Sequence, residues 1–213
     1  MANRQIKPVH DNLEKYRTYK EYIKRYNTAI KEGFYFEAIL IDYAMMEDRL
    51  RSMLYHMGAL VDRSNTGITG KFKLTAKEAI DRYTGKDESK TIGITSISGK
   101  MKVIRCILAM AGEDTSDDYF AAVRELLPAE DIESIFGLFR RITEWCLYRN
   151  EIIHCLMNKS VDSVDLQAAE KAENGFALAR EIDLWERKIK SKDTLRKSLK
   201  LPIEKRKKIE RDK

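Results

Sequence analysis

Late in the apolar-striped stretch 131–157 stands Tyr148-Arg149-Asn150-Glu151-Ile152-Ile153-His154. Apolar residues recur at Ile135, Phe139, Ile142, Cys146 and Ile153, the three-then-four spacing of a buried helix face. Arg149 holds the position that should continue this stripe, and Asn150 and His154 flank it one turn apart. A guanidinium, a carboxamide and an imidazole thus interrupt a core-facing surface, and local rules break most often at functional sites. The three types suit cleavage of RNA. Imidazole titrates near neutrality, so it can take a proton from a ribose 2′-hydroxyl or give one to a leaving 5′-oxygen. Arginine offers a planar fork to a phosphate and offsets the charge that gathers on its oxygens in the transition state. Asn150 can hold the phosphate or fix the His154 ring across one turn. The chemistry needs no metal. His10, His56 and His154 lack ligand-like partners at motif spacing, so neither a metal nor another cofactor is expected.

On an ideal helix Arg149 and His154 differ by about 140° in direction and about 7.5 Å along the axis. They flank the stripe instead of meeting. Two copies around a two-fold axis would bring two Arg and two His into one cleft, so a homodimer with a composite site is expected. The same residues also fit a purely structural role, with Arg149 paired to a Glu and His154 capping a loop carbonyl. Glu47 could orient Arg149 from across the bundle, although a plain solvent-edge carboxylate is the commoner assignment at such a position.

The elements that must position these groups are helices. The first runs from Asp11 or Asn12 to about Glu32 and stops at Gly33. Its apolar positions are mostly tyrosines (Tyr16, Tyr19, Tyr22, Tyr26, with Ile23 and Ile30), which could stack on bases or half-bury against a neighbour. A second helix, about 34–57, carries the stripe Ile39, Tyr43, Met46, Leu50, Met53 or Leu54, and Met57, with Gly58 as its cap. Residues 59–98 are rich in Gly, Ser and Thr and read as an insertion with one short helix near 76–83. Gly67-Ile68-Thr69-Gly70-Lys71 lacks phosphate-loop spacing and a preceding strand. A third core helix spans 100–111, opened by Ser98 or Gly99, and a short one spans 117–127 and breaks at Pro128. The motif helix follows. A last amphipathic helix runs from about Asp162 past Trp185, with Leu166, Ala169, Ala172, Phe176, Ala179, Ile182 and Trp185 on one face. No β-alternation appears, so an all-α, up-and-down bundle is expected.

Composition agrees. The chain has 213 residues, 43% hydrophobic and 35% charged, with three prolines, as in a helix-rich soluble domain. No apolar run approaches the roughly 20 residues of a membrane span, and no apolar segment follows the basic residue near the N-terminus, so no secretory leader and no membrane partner are expected. Cys106, Cys146 and Cys155 read as small hydrophobes in a reducing cytoplasm. The net charge is +6, but residues 187–213 hold 13 Lys or Arg against 4 Asp or Glu, leaving −3 for 1–186. This suggests a helical domain, 1–186, and a basic helical or disordered tail, 187–213. In that tail Lys205, Arg206, Lys207 and Lys208 could add salt-sensitive affinity for RNA phosphates.

Arg149-Asn150-Glu151-Ile152-Ile153-His154 resembles the R-x4-6-H signature of the HEPN superfamily, in which a polar residue, often Asn, follows the Arg. The segment from Glu37-Ala38-Ile39 to Leu54 is similar to that family's early core helix. The resemblance covers roughly 34–58 and 99–185. It implies a metal-independent endoribonuclease active as a dimer, with Arg149 and His154 as the catalytic pair and Asn150 as the accompanying polar residue. It also implies a toxin or antiviral abortive-infection role, with an antitoxin or activator as a further partner. Position 156 is Leu where some members carry a modifiable Tyr, so that form of control is not expected. The alternative is a non-catalytic helical module that binds nucleic acid or protein through the tail and the tyrosine-rich first helix.

Overall fold

The computed structural model describes residues 12–60, 94–113, 117–155, 158, 160–192, 194–198 and 200. Among them are seven helices and no strand: α1 (Asn12–Glu32), α2 (Tyr35–His56), α3 (Ile97–Gly112), α4 (Asp118–Leu126), α5 (Ala129–Cys155), α6 (Val161–Lys192) and α7 (Thr194–Ser198). They pack as an all-α bundle. No described helix is long and apolar enough to cross a membrane. The short helix expected at 76–83, the glycines at 67–71 and the basic run 205–208 lie outside the described residues.

Local signals explain the helix ends. α1 stops at Gly33, whose positive φ of 76° suits a residue without a Cβ. α3 opens earlier than expected, because Ser96, not Ser98, is its cap: the Ser96 hydroxyl accepts the Gly99 N–H at 3.1 Å. The Asp117 side chain caps α4 in the same way, accepting the Tyr119 N–H at 2.8 Å. Pro128 leads into α5 as well as ending α4, since its carbonyl accepts the N–H groups of Asp131 and Ile132. The motif helix therefore starts at Ala129, because a proline at a helix entrance removes no bond the helix would make.

α2 is the central element and packs against α6, α1 and α3, while α5 lies on α6 and α3. Its buried line runs through Ala38, Ile39, Asp42, Met46, Leu50 and Met53. On α6 the fully buried line is Ala168, Ala172, Ala179, Ile182, Glu186 and Ile189. Trp185, expected on that face, is only partly buried, and Glu186 holds the core position instead.

The C-terminal end of α2 is buried, and the last carbonyls of a helix have no partners within it. Side chains from far along the chain supply them. The Tyr119 hydroxyl donates to the Met57 carbonyl at 2.7 Å. Arg196 of α7, fully buried, donates from Nη1 to the carbonyls of Tyr55 (2.7 Å) and Leu60 (2.9 Å) and lies 3.7 Å over the Tyr55 ring. A cation at a helix C-terminus also suits the helix dipole. A boundary at 186 thus falls inside α6, and Ile189, Leu195 and Arg196 belong to the core. Arg196→Met should cost about 2–5 kcal/mol, because it removes two charged hydrogen bonds inside the core, although the Tyr55 carbonyl keeps the Gly58 N–H at 3.0 Å, and lower Tm by roughly 5–15 °C. Calorimetry giving an unchanged Tm would show that α7 does not seal α2. Any test of the basic tail as an affinity element must keep residues through 200.

Candidate functional site

The apolar stripe of α5 continues through Ile135, Leu138, Phe139, Ile142 and Trp145 to Ile152, all buried, with Arg149 half-buried between the last two. Arg149 does occupy the stripe. Ile153 does not: it is 38% exposed, because the 3.6-residue turn carries the buried line to Ile152. Leu147 and Tyr148 are also exposed.

The Arg149 guanidinium carbon sits 4.1 Å from the ring centroid of Tyr43 on α2. Its Nη1 donates to Asn150 Oδ1 at 2.9 Å, and its Nε is buried without a hydrogen-bond partner. His154 is exposed in the last turn of α5. The structure brings Arg149 and Asn150 together and leaves the imidazole apart. Asn150 engages the guanidinium, not the His154 ring.

Glu47 does not orient Arg149. Its Oε1 accepts from Lys100 Nζ at 2.9 Å and from Arg51 at 3.2 Å. Lys100, almost fully buried, also donates to the Thr95 carbonyl at 3.1 Å. Burial lowers the Lys100 pKa, and Glu47 opposes that shift. A lysine taken into the core captures the carboxylate first. Among the described residues no carboxylate pairs with Arg149.

One acidic group was not anticipated. Asp42 is fully buried, and neither carboxylate oxygen has a hydrogen-bond partner. Burial pushes its pKa up to about 8, so it is mostly protonated at neutral pH. Nearby donors are otherwise engaged: the Tyr26 hydroxyl gives its hydrogen to the Ala172 carbonyl (3.1 Å), and the Trp145 indole gives its own to the Lys171 carbonyl (2.7 Å). Asp42 and Trp145 both press on Gly175 of α6. A Cβ there would lie 2.7 Å from Asp42 Oδ2 and 2.7 Å from Trp145 Cζ2, so only glycine permits this approach. The sequence does carry a signal for Asp42, which stands four residues after Ala38 and four before Met46, an interruption of the same kind as Arg149.

A second polar cluster lies further along α2. Ser52 donates to Glu186 Oε1 at 2.7 Å, and His56 Nε2 stands 3.6 Å from the same oxygen, all three residues buried. Tyr43 and His56 are thirteen positions apart, about 20 Å along the helix, so this cluster is separate from Arg149. Among the described residues, no three His, Cys, Asp or Glu side chains are grouped to hold a metal ion. Cys106 is buried and its thiol pKa is raised by that burial to about 11, while burial also raises that of half-buried Cys146.

The tyrosines of α1 divide. Tyr26 stacks on Phe176 with centroids 4.5 Å apart, and the Tyr19 hydroxyl donates to Asp48 at 2.6 Å under the Arg49 guanidinium. Both serve the fold. Tyr16 and Tyr22 are exposed, with the Arg25 guanidinium 5.7 Å over the Tyr22 ring. No family model, curated protein or solved structure matches the chain.

Proposed function

We propose that the protein is a metal-independent endoribonuclease of the HEPN type, working as a homodimer. The observation that carries this reading is a guanidinium held on the bundle with no carboxylate partner among the described residues, five residues before an exposed imidazole on the same helix. In the reaction the 2′-oxygen attacks the adjacent phosphorus and the bond to the 5′-oxygen breaks. His154 takes the proton from the 2′-hydroxyl or supplies one to the 5′-oxygen. Arg149 meets the phosphate oxygens as charge builds on them, and Asn150 steadies the guanidinium. Apposed copies would gather two Arg149 and two His154 in one cleft. A toxin or antiviral role, with an antitoxin or activator, follows from the family resemblance.

Tyr16 and Tyr22, exposed among Lys and Arg, favour a second reading in which the protein binds nucleic acid without cutting it. Mixed RNA incubated with purified protein in EDTA separates the two. Products ending in 2′,3′-cyclic phosphate or its 3′-phosphate hydrolysis product are expected. Intact RNA bound by a confirmed dimer would favour the binding module.

A further inference from the structure

We infer that Tyr43 is a positioning residue for Arg149, an assignment that rests on the nuclease reading. A guanidinium can be gripped in two ways. A carboxylate binds its edge, uses two in-plane donors and cancels its charge. An aromatic ring binds its face, fixes its plane and leaves both charge and edge to another anion.

Arg149 is held the second way. The Tyr43 ring lies 4.1 Å from the guanidinium carbon, and Tyr43 is itself half-buried on α2, the central helix. Among the described residues only Nη1 is engaged, by the neutral Asn150 amide oxygen. Nε is buried without an acceptor. Glu47, the carboxylate whose sequence position suits a role beside Arg149, is bound by Lys100 and Arg51. Tyr43 thus holds the guanidinium over its ring while Asn150 engages one corner, and neither neutral group cancels the charge offered to the scissile phosphate. Pre-set orientation at a reacting group contributes mainly to the chemical step.

The test compares Tyr43→Leu and Tyr43→Phe in steady-state RNA cleavage, with the Arg149 Nε–Hε proton followed by NMR and assigned through Arg149→Lys. Tyr43→Leu should lower kcat by about 10–100-fold with KM little changed, and shift the Hε resonance downfield as the ring current is lost. Tyr43→Phe keeps the ring, so its kcat should stay within about three-fold of the parent and its Hε resonance should not move. Tyr43→Leu cutting at the parental rate would overturn the assignment. Equal damage by Tyr43→Phe would also overturn it, by moving the effect to the hydroxyl. A wild-type protein that leaves RNA intact would overturn the nuclease reading and the role in cleavage with it. The Hε shift would still show whether the ring holds the guanidinium.

Discussion

His154→Ala should reduce RNA cleavage by about 10²–10⁴-fold, the range expected when a proton-transfer group is removed. Its melting temperature should stay within a few degrees of the parent's. His154 is exposed at the end of α5, and surface substitutions of this kind change stability by roughly 0.5 kcal/mol or less. Arg149→Ala should behave differently. It also loses cleavage, by about 10²–10³-fold, and in addition gives up its contact with Tyr43, so it should melt measurably lower. Rates and melts measured on both variants therefore separate chemistry from packing. A His154→Ala protein that cuts as fast as the parent would remove His154 from the mechanism.

Asp42→Asn should flatten the dependence of stability on pH between about 4 and 8. The sign follows from linkage. The Asp42 pKa rises from 3.8 to about 8 in the fold. Its favourable state, the neutral acid, is fully present below the unfolded value and is lost as pH rises through the folded one. Between those limits the folded chain must keep a proton that the unfolded chain has released. Each pH unit costs about 1.4 kcal/mol, and the total reaches roughly 3–6 kcal/mol before levelling off above pH 8. Against a whole-domain stability of about 5–15 kcal/mol, this is a large share. Asparagine never ionises, although its amide adds a fixed cost of about 1–3 kcal/mol for unpaired donors. The diagnostic is therefore the slope, measured by urea unfolding at a series of pH values. Parallel curves for parent and variant would mean that Asp42 ionises in the fold as freely as in the unfolded chain.

The helices were legible because apolar spacing and end signals act locally. The limits of α1, and nearly those of α2, follow from Gly33, Gly58 and the stripe between them. The position of Arg149 in the α5 stripe was legible for the same reason. Side-chain partners were not, because they depend on how helices approach one another. Glu47 lies on α2 as its spacing requires, yet Lys100 reaches it from α3, 53 residues on. Asp42 interrupts the α2 stripe in the sequence, but its burial without a partner comes from the close approach of α6 at Gly175. Arg196 sits in a segment whose Lys and Arg content reads as solvated, and only the carbonyls of Tyr55 and Leu60 that it meets at the end of α2 explain why one of those charges is buried.

The Arg196 seal also bears on the order in which the bundle forms. Helices assemble from neighbouring residues, and all-helical chains usually fold quickly because their contacts are local. Here the end of α2 is closed by a residue 141 positions beyond Tyr55 and 136 beyond Leu60, and α1 is tied to α6 across 146 positions by Tyr26 and Ala172. Closing such wide loops costs entropy before any contact repays it. The rate of folding is then set by long-range docking of α6 and α7, and the helices themselves can form well before the scaffold under Arg149 becomes rigid.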